Sequence, residues 1–382
     1  MTQKRYRVAV IPGDGIGIEV TAEAKKVVEA AGGKFGFAVD WTDYPFGAEH
    51  YLATGEVLPE SFLEEAGGFD ALLLGAIGDP RVKPGILERG ILLTLRFAFD
   101  QFVNLRPAKA FPKVPLPVDT CGKRFDTVVV RENTEDFYMG IGGVSSDGRV
   151  EFPLSCGRAA YTLGGSVSAV TDPPVPTAVQ LGIATKPGIE RIARYAGEMA
   201  RKRNEKRVTL VTKSNALPQI YGFWEEVAGA LFASEFPDLS LDRANVDALC
   251  YHLVRKPTAY GVLLCPNMFG DIVSDLLAGL SGGLGMAAGA DIGLGLSMFE
   301  PVHGSAPDIA GQGKANPLAA ILTAALMLDH LGQAEAALAV EKAVESTLSE
   351  SDPGSLPFEL GGSASTSAVG FAVIQHLEAD RG

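Results

Sequence analysis

The chain has few cysteines and no long hydrophobic run, and both shortages restrict what it can be. Its 382 residues include four cysteines, which are widely separated and form no Cys-x-x-Cys pair. A structural zinc site is therefore not expected, and reduced thiols are the default. No apolar run approaches the roughly 18 residues that a membrane-spanning helix needs. The first apolar run, residues 8–11, is too short for a signal peptide and predicts a strand, so we expect a cytoplasmic protein with no membrane partner.

Basic residues are also in short supply. Lysine and arginine total 33 against 46 aspartates and glutamates, which gives a net charge of -13. The one basic run, residues 201–207, lies between a predicted helix and a predicted strand, where a solvated helix end is the simpler interpretation. No nucleic acid is therefore expected as a partner.

Short apolar runs alternate with helical patterns, which favours an α/β fold. Strands are predicted at residues 8–11, 71–74, 127–130, 208–211 and 260–264. Helices are predicted at residues 18–31, 189–202, 221–232, 271–280, 318–330 and 333–348. The length predicts two domains. No Gly/Ser linker separates them, and the loop-like residues 171–177 are expected to belong to an arm or insertion.

Two aspartates four residues apart point to a metal ion. Asp271 and Asp275 follow a glycine, in a run whose apolar spacing predicts a helix. Positions i and i+4 of a helix lie roughly 5–6 Å apart at Cβ. Two carboxylates that close repel unless a cation lies between them, and Mg²⁺ is usually held by one or two carboxylates plus substrate. The alternative is an acidic first helical turn, which the helix dipole favours.

Three arginines and one lysine are candidate ligands for an anionic substrate, and Arg131 follows the predicted strand at 127–130. Arg96, Arg106 and Arg131 could each grip a substrate carboxylate with the guanidinium fork, although internal salt bridges are the alternative. Lys213 follows the strand at 208–211, at the edge where open α/β sheets bind ligands. It could serve as a base, or it could be an ordinary loop lysine.

Two glycine-rich segments could approach a ligand. Residues 13–17 read Gly-Asp-Gly-Ile-Gly after the first strand, which is not the GxGxxG fingerprint of a Rossmann fold. A plain tight turn is an equal alternative there. Residues 300–311 form a polar loop rich in glycine and proline, and its hydrogen-bonding groups suit a nucleotide better than a simple connection.

Five motifs in these regions together resemble the β-decarboxylating 2-hydroxyacid dehydrogenases, a family that contains isopropylmalate, isocitrate, homoisocitrate, tartrate and D-malate dehydrogenases. The motifs are Gly-Asp-Gly-Ile-Gly (13–17), Asn-Leu-Arg-Pro (104–107), Arg-Glu-Asn-Thr-Glu (131–135), Asn-Met-Phe-Gly-Asp-Ile-Val-Ser-Asp (267–275) and Glu-Pro-Val-His-Gly-Ser-Ala-Pro-Asp-Ile-Ala-Gly (300–311). They span nearly the whole chain in order, and the two longest are highly specific.

The resemblance implies a two-domain isopropylmalate/isocitrate dehydrogenase-like fold, in which helices flank a mixed sheet and the cofactor site is not of the Rossmann type. The larger domain would combine residues 1–101 and 282–382 and hold the cofactor loop. The smaller domain, residues 102–281, would carry the substrate, metal and dimer contacts.

The resemblance also implies roles for the charged residues. Arg96, Arg106 and Arg131 would hold the malate part of the substrate. Tyr138 would protonate the carbon that CO₂ leaves.

Other implied site residues come from two chains. Lys213, in a Lys-x-Asn motif with Asn215, would help to deprotonate the substrate hydroxyl. Asp271, Asp275 and Asp247 would bind Mg²⁺ or Mn²⁺. Lys213 and Asp247 would reach the site from the neighbouring subunit, so the resemblance implies an obligate homodimer with shared active sites.

The cofactor is predicted to be NAD. The residues expected around it are Glu300, His303, Gly304, Ser305, Ala306, Asp308 and Asn316. Asp308 stands where the NADP-dependent isocitrate enzymes of the family carry lysine. A carboxylate can accept hydrogen bonds from ribose hydroxyls and would repel a 2′-phosphate.

The substrate's variable group is expected to meet Leu92 and Leu93. This apolar pair disfavours an extra carboxylate, because burying an unpaired charge is costly. Residues 99–107 and 131–135 look like the tartrate/D-malate branch, so we expect oxidative decarboxylation of a malate-type 2-hydroxy diacid to a 2-oxo acid. The alternatives are 3-isopropylmalate, whose enzymes share the leucine pair, and a non-catalytic regulatory homologue. Arg89 and the long segment 142–185 leave room for a distinct, anionic substrate.

Overall fold

A ten-stranded mixed sheet runs through this computed structural model, which describes residues 3–120, 122–350 and 352–379. Along the chain the strands are β1 (Lys4–Gly13), β2 (Phe37–Asp43), β3 (Ala71–Ala76), β4 (Val103–Lys109), β5 (Asp126–Glu132), β6 (Gly142–Ser145), β7 (Arg149–Arg158), β8 (Tyr161–Val170), β9 (Thr177–Gln180), β10 (Arg207–Thr212), β11 (Ser240–Asn245), β12 (Val262–Cys265), β13 (Ala290–Ile292) and β14 (Met298–Phe299). The order in the large sheet is β11-β10-β12-β5-β4-β13-β14-β3-β1-β2.

Helices flank this sheet, as the α/β prediction requires. They are α1 (Gly17–Phe35), α2 (Ala48–Thr54), α3 (Glu60–Ala66), α4 (Thr94–Ala98), α5 (Lys186–Lys202), α6 (Phe223–Glu235), α7 (Val246–Arg255), α8 (Asn267–Leu280), α9 (Leu318–His330), α10 (Ala334–Glu350) and α11 (Thr366–Ala379). A π-helical turn, Glu88–Leu93, leads into α4. Helix α9 is buried along almost its whole length, between the sheet and its neighbours α1 and α10.

Every predicted strand and helix is present, with boundaries shifted by a few residues. The main correction concerns α8, which begins at Asn267 rather than at Asp271. Pro266 precedes the helix, and the backbone N–H of Gly270 donates to the Pro266 carbonyl (2.9 Å), so Gly270 lies inside the helix. Asp271 therefore lies beyond the first turn, where the helix dipole gives little reason for an acidic residue.

The two ends of the sheet come from different parts of the chain. Strands β1, β2, β3, β13 and β14, all within residues 1–101 and 282–382, form one end. Strands from residues 102–281 form the other, and the halves join where β4 pairs antiparallel with β13. The strand order agrees with the proposed division, but one continuous sheet crosses it, so two domains remain a prediction.

The long segment after residue 142 forms two small antiparallel sheets. Strand β6 pairs with β9, and β7 pairs with β8. Residues 171–177 connect β8 to β9 within this arm.

None of the described helices is long and apolar enough to cross a membrane. Cys156, Cys250 and Cys265 are free. Cys121 lies outside the described residues, as do residues 1–2, 351 and 380–382 of the predicted domain ranges.

Candidate active site

Two antiparallel strands bring the second and third arginines together. In the register of β4 and β5, Asn104 lies directly opposite Arg131. Arg106 is two residues further along β4 and so points to the same face. Arg131 is only 1% exposed. Burial, together with the positive charge of Arg106, lowers the pKa of Arg131 to about 10, which leaves it charged at neutral pH.

Helix α8 supplies the anion that these arginines surround. Arg131 Nη1 donates to Asp271 Oδ1 (2.6 Å), and Arg106 Nη1 lies 3.6 Å from the same oxygen. The hydroxyl of Tyr138 donates to Asp271 Oδ2 (2.7 Å). Burial would raise the pKa of Asp271, but Arg131, the Tyr138 hydrogen bond and Arg106 together hold it below its usual range. Asp271 is therefore ionised.

Gly270 allows Arg131 to lie against α8. A Cβ at Gly270 would lie 2.5 Å from Cγ of Arg131, which no rearrangement short of moving the strand or helix would relieve. One turn earlier, Asn267 fixes the guanidinium: its backbone oxygen (2.9 Å) and side-chain Oδ1 (3.0 Å) both accept from Arg131 Nε. The glycine before the first aspartate therefore has a packing role that the sequence pattern did not indicate.

Asp136 positions Tyr138 relative to α8. Its carboxylate accepts the backbone N–H of Met268 (2.9 Å) in the first turn of α8. Its backbone has φ of 64°, in the left-handed region that non-glycine residues rarely adopt, and it leads directly into the short 3₁₀ turn that carries Tyr138. Strain of this kind persists where the surrounding structure fixes it, and such residues cluster at functional sites.

Asp271 and Asp275 fit a divalent cation only in part. They lie one turn apart on α8, and Asp275 is more open to solvent, with its side chain 61% exposed and 3.4 Å from Arg106 Nη1. Burial raises the pKa of Asp275. Within the described chain, no three His, Cys, Asp or Glu side chains come together as a metal site. The pair can supply two oxygen ligands to a cation.

Lys213 and Asp247 form a separate pair. They follow the carboxyl ends of the neighbouring parallel strands β10 and β11, whose register places Thr212 opposite Asn245. Lys213 Nζ donates to Asp247 Oδ1 (2.7 Å), and this bond lowers the pKa of Asp247. Among the described residues, no hydrogen bond or ion pair links this pair to the arginines, to Tyr138 or to Asp271. Asn215 is exposed in the turn after Lys213.

Arg96, on α4, is held by Asp291 of β13 and by Glu300, which follows β14. Its Nη2 donates to Glu300 Oε1 (2.9 Å), and its Nε lies 3.4 Å from Asp291 Oδ1. Asn104 donates to the same Asp291 oxygen (2.6 Å). Asp291 thus links Arg96 to β4, the strand that carries Arg106. The carboxylate of Glu300, which was expected to contact the cofactor, is thus bonded to Arg96.

A cavity of about 160 Å³ lies between Arg96, Arg106 and the start of the loop at residues 300–311. Its lining includes Leu92, Arg96, Arg106, Glu300, His303 and Gly304. Leu92 comes from the π-helical turn and, with Leu74, Ile77 and Val302, forms the apolar part of the lining. Leu93, the second predicted contact, is half-buried and is not part of the lining.

The loop at 300–311 fits a nucleotide on one specific ground. His303 is 8% exposed, and its Nδ1 donates to the Gly304 carbonyl (3.0 Å). This bond leaves Nε2 as a buried acceptor with no hydrogen-bond partner among the described residues. Burial lowers the pKa of His303, so the ring is neutral. An exocyclic amine, such as that of adenine, would satisfy the unpaired nitrogen.

The Gly-Asp-Gly-Ile-Gly turn supports this loop from below. The backbone N–H of Ile16 donates to the Ser305 carbonyl (2.9 Å), and a Cβ at Gly15 would lie 2.0 Å from that oxygen. The neighbouring Ala306 has φ of 39°. Gly15 is therefore needed for the turn to pack closely on the loop at residues 300–311.

Two further predicted cofactor contacts are Asp308, within the loop, and Asn316, which follows it. Asp308 is exposed, and only its backbone oxygen is engaged, by Gln312 Nε2 (2.7 Å). Asn316 is buried and occupied: its Oδ1 accepts the Leu318 N–H (3.1 Å) at the start of α9, and its Nδ2 donates to Glu359 Oε2 (3.0 Å). Asn316 thus has a clear structural role of its own.

The sequence interpretation missed several polar residues of the site. Asn104 had a detectable signal, since it lies two residues before Arg106 on a strand and must share its face. Asp291, Asn267 and Asp136 had none, because each gains its meaning from a partner more than 100 residues away. Arg89, the proposed anion contact, is exposed at the π-helical turn.

Comparison with known proteins agrees with this geometry. The family described as isocitrate/isopropylmalate dehydrogenase matches residues 7–373. The chain is 42% identical to the 3-isopropylmalate dehydrogenase of Thermobifida fusca over 99% of both chains, and 44% identical to that of Clavibacter sepedonicus over 97% of both. Among solved structures, isocitrate dehydrogenase from Methylococcus capsulatus superimposes with a TM-score of 0.80 at 35% identity, covering 97% of this chain and 99% of that one.

These matches favour the isopropylmalate alternative over the tartrate/D-malate interpretation, because the similar relatives carry the former name. The fold, the arginine cluster and the family match all lead to one conclusion. The chain belongs to the isocitrate/isopropylmalate dehydrogenase family and is a decarboxylating dehydrogenase that acts on a CH–OH group.

Proposed function

We propose that the protein is a 3-isopropylmalate dehydrogenase that uses NAD⁺ and Mg²⁺ or Mn²⁺. The observation that carries this proposal is the cavity whose lining combines Leu92 with Arg96 and Arg106. A 2-hydroxy diacid with an alkyl branch needs cationic side chains for its carboxylates and an apolar surface for its branch. The names of relatives that are 42–44% identical support the same substrate.

The arginines bind and orient the substrate carboxylates. Arg131 is fixed by Asn267 and Asp271, and Arg106 Nε donates to Asn104 (2.7 Å), so both guanidinium groups are already in position before a ligand arrives. Such preorganisation avoids the entropy of ordering long side chains on binding. Leu92 would contact the isopropyl group, for which contact with a charged side chain would be unfavourable.

Proton transfers are assigned to Lys213 and Tyr138. Lys213 would take the proton of the substrate hydroxyl, directly or through one water. Tyr138 would deliver a proton to the carbon that has lost CO₂, since its hydroxyl is protonated and lies at Asp271. When bound between Asp271 and Asp275, a divalent cation would lower the pKa of the substrate hydroxyl and polarise the carbonyl, and NAD⁺ would accept the hydride.

A complete site requires two chains in this proposal. Lys213 and Asp247 bond to each other, and in the described chain neither contacts the arginine–aspartate cluster. A partner chain related by a twofold axis would place its own Lys213–Asp247 pair at this cluster. The Lys213–Asp247 pair of the first chain would then lie at the cluster of the partner. The homodimer would then hold two shared active sites.

NAD⁺ is favoured over NADP⁺ by the loop. Asp308 is exposed, with a side chain that makes no hydrogen bond within the described residues. A carboxylate there suits ribose hydroxyls and opposes a 2′-phosphate.

A substrate panel tests the proposal. NADH formation would be measured with 3-isopropylmalate, D-malate and D-tartrate, each with Mg²⁺ and NAD⁺, and CO₂ release would be followed in parallel. The highest kcat/KM is expected for 3-isopropylmalate. A higher kcat/KM for D-malate or D-tartrate would overturn the substrate assignment and restore the first sequence interpretation.

A further inference from the structure

Two carboxylates lie against one arginine, Arg96, which lines the cavity. Glu300 accepts a hydrogen bond from Arg96 (2.9 Å), and Asp291, which is completely buried, lies 3.4 Å from the same guanidinium. Glu300 lies within hydrogen-bonding reach of Asp291. Two ionised carboxylates cannot bond to each other, because neither has a proton to donate.

The hydrogen-bond pattern of Asp291 lacks one donor. Its Oδ1 accepts from Asn104 (2.6 Å) and from Asn133 (2.7 Å). Its Oδ2 is buried and has no partner among the described residues when all carboxylates are ionised. A buried acceptor of this kind is normally satisfied. A proton on Glu300 would supply the missing donor.

The balance of charges also favours a proton on Glu300. If Glu300 and Asp291 are both ionised, their two negative charges exceed the single positive charge of Arg96. The three side chains then carry a net negative charge beside the site for an anionic substrate. Arg106, on β4, also faces Glu300, and His303, which lines the same cavity, is neutral because burial lowers its pKa. Buried charge that lacks a partner is costly, so a group in this position tends to neutralise.

We propose that Glu300 carries a proton when substrate binds, donates it in a hydrogen bond to Asp291, and thereby leaves Arg96 able to pair with a substrate carboxylate. Glu300 is then a positioning residue that acts through Arg96. The inference rests on the proposed function, because it assumes that a substrate carboxylate binds at Arg96.

Substrate affinity should then depend on pH. Burial, together with Asp291, raises the pKa of Glu300 to about 8. Below that pH the proton is present and affinity is full. As pH rises through it, Glu300 ionises and adds a negative charge beside the carboxylate, so KM for the diacid should rise by up to about tenfold per pH unit. The value of kcat should change much less, since saturating substrate holds the proton in place.

Glu300→Gln provides the test, because its amide donates to Asp291 at every pH while its oxygen still faces Arg96. The variant should keep KM within a few-fold of wild type at pH 7 and lose the alkaline rise. Glu335→Gln, an exposed carboxylate on α10, should keep the wild-type profile. The same alkaline rise in Glu300→Gln would overturn the proposal.

Infrared difference spectroscopy separates this inference from the substrate assignment. Wild type at pH 7 should show a protonated carboxyl band that disappears as pH rises through about 8 and is missing in Glu300→Gln. This readout needs no turnover, so it stands even if 3-isopropylmalate proves to be the wrong diacid. A wild-type spectrum identical to that of Glu300→Gln at pH 7 would contradict the shared proton.

Discussion

The hydroxyl group of Tyr138 donates a 2.7 Å hydrogen bond to Oδ2 of Asp271. The proposed proton donor and a proposed metal ligand are therefore in direct contact. Burial, and then this bond to a carboxylate, raises the pKa of Tyr138 to about 12. A raised pKa keeps the phenol protonated throughout the working range, which is the state that a general acid needs.

Tyr138→Phe should lower kcat by about 10²- to 10⁴-fold, because loss of a positioned general acid has effects of that order. KM for NAD⁺ should change little, since the phenol does not line the cofactor loop. Steady-state kinetics over a pH series checks both. In wild type, kcat should not fall near pH 10, where an ordinary tyrosine loses its proton. A full kcat in the phenylalanine variant would remove Tyr138 from the mechanism.

Asp271→Asn should weaken Mn²⁺ binding by at least about tenfold, because the amide keeps the shape of the side chain but loses the charge. Equilibrium binding followed by electron paramagnetic resonance measures this without turnover. Asp238→Asn, an exposed aspartate paired with Arg201, is the matched control and should bind Mn²⁺ normally. Equal affinity in Asp271→Asn and wild type would place the metal elsewhere.

The fold was largely predictable because its central strands are continuous apolar runs. All residues of β3 and β12 are buried, as expected for strands covered on both faces, and their patterns were recognised. Strands β2, β4 and β11 of the same sheet were not predicted, nor were the short strands β13 and β14, whose two or three residues show no periodicity. Pairing across the sheet defines these strands, and a local pattern cannot show that.

The site was predictable to the extent that its chemistry lies in single residues. Arg131 and Asp271 were both identified, but the sequence did not indicate that they bond to each other. Glu300 was assigned to the cofactor because it opens the glycine-rich loop, and its contact with Arg96 depends on a fold that joins residues 204 apart in the chain. The spacing of residues in the sequence does not predict which distant residues pair with a buried charge.

Leu92→Ala should lower kcat/KM for 3-isopropylmalate by about tenfold to a hundredfold, because a cavity wall that contacts the alkyl group is lost. Activity with D-malate, which lacks that group, should change much less. Leu52→Ala, an exposed leucine in α2, controls for the loss of side-chain volume. Equal losses with both substrates would mean that Leu92 does not read the alkyl branch.

Asp308→Lys should move the cofactor preference from NAD⁺ towards NADP⁺, because a cation at this exposed position would attract the 2′-phosphate. The ratio of kcat/KM for the two cofactors is the quantity to measure, and a shift of at least about tenfold is expected. Glu335→Lys makes the same charge change on α10 and should leave the ratio unaltered. If wild type already prefers NADP⁺, the role given to Asp308 is wrong.

The central claim is that the Arg131–Asp271–Tyr138 cluster of one chain works with the Lys213–Asp247 pair of another. Lys213→Met and Tyr138→Phe chains should each be inactive as purified homodimers. Unfolded together and refolded as a mixture, they should regain about a quarter of the wild-type activity, since half of the dimers are mixed and each holds one intact site. No recovery in a mixture that refolds and forms dimers would show that each site is built from one chain and would contradict the shared active site.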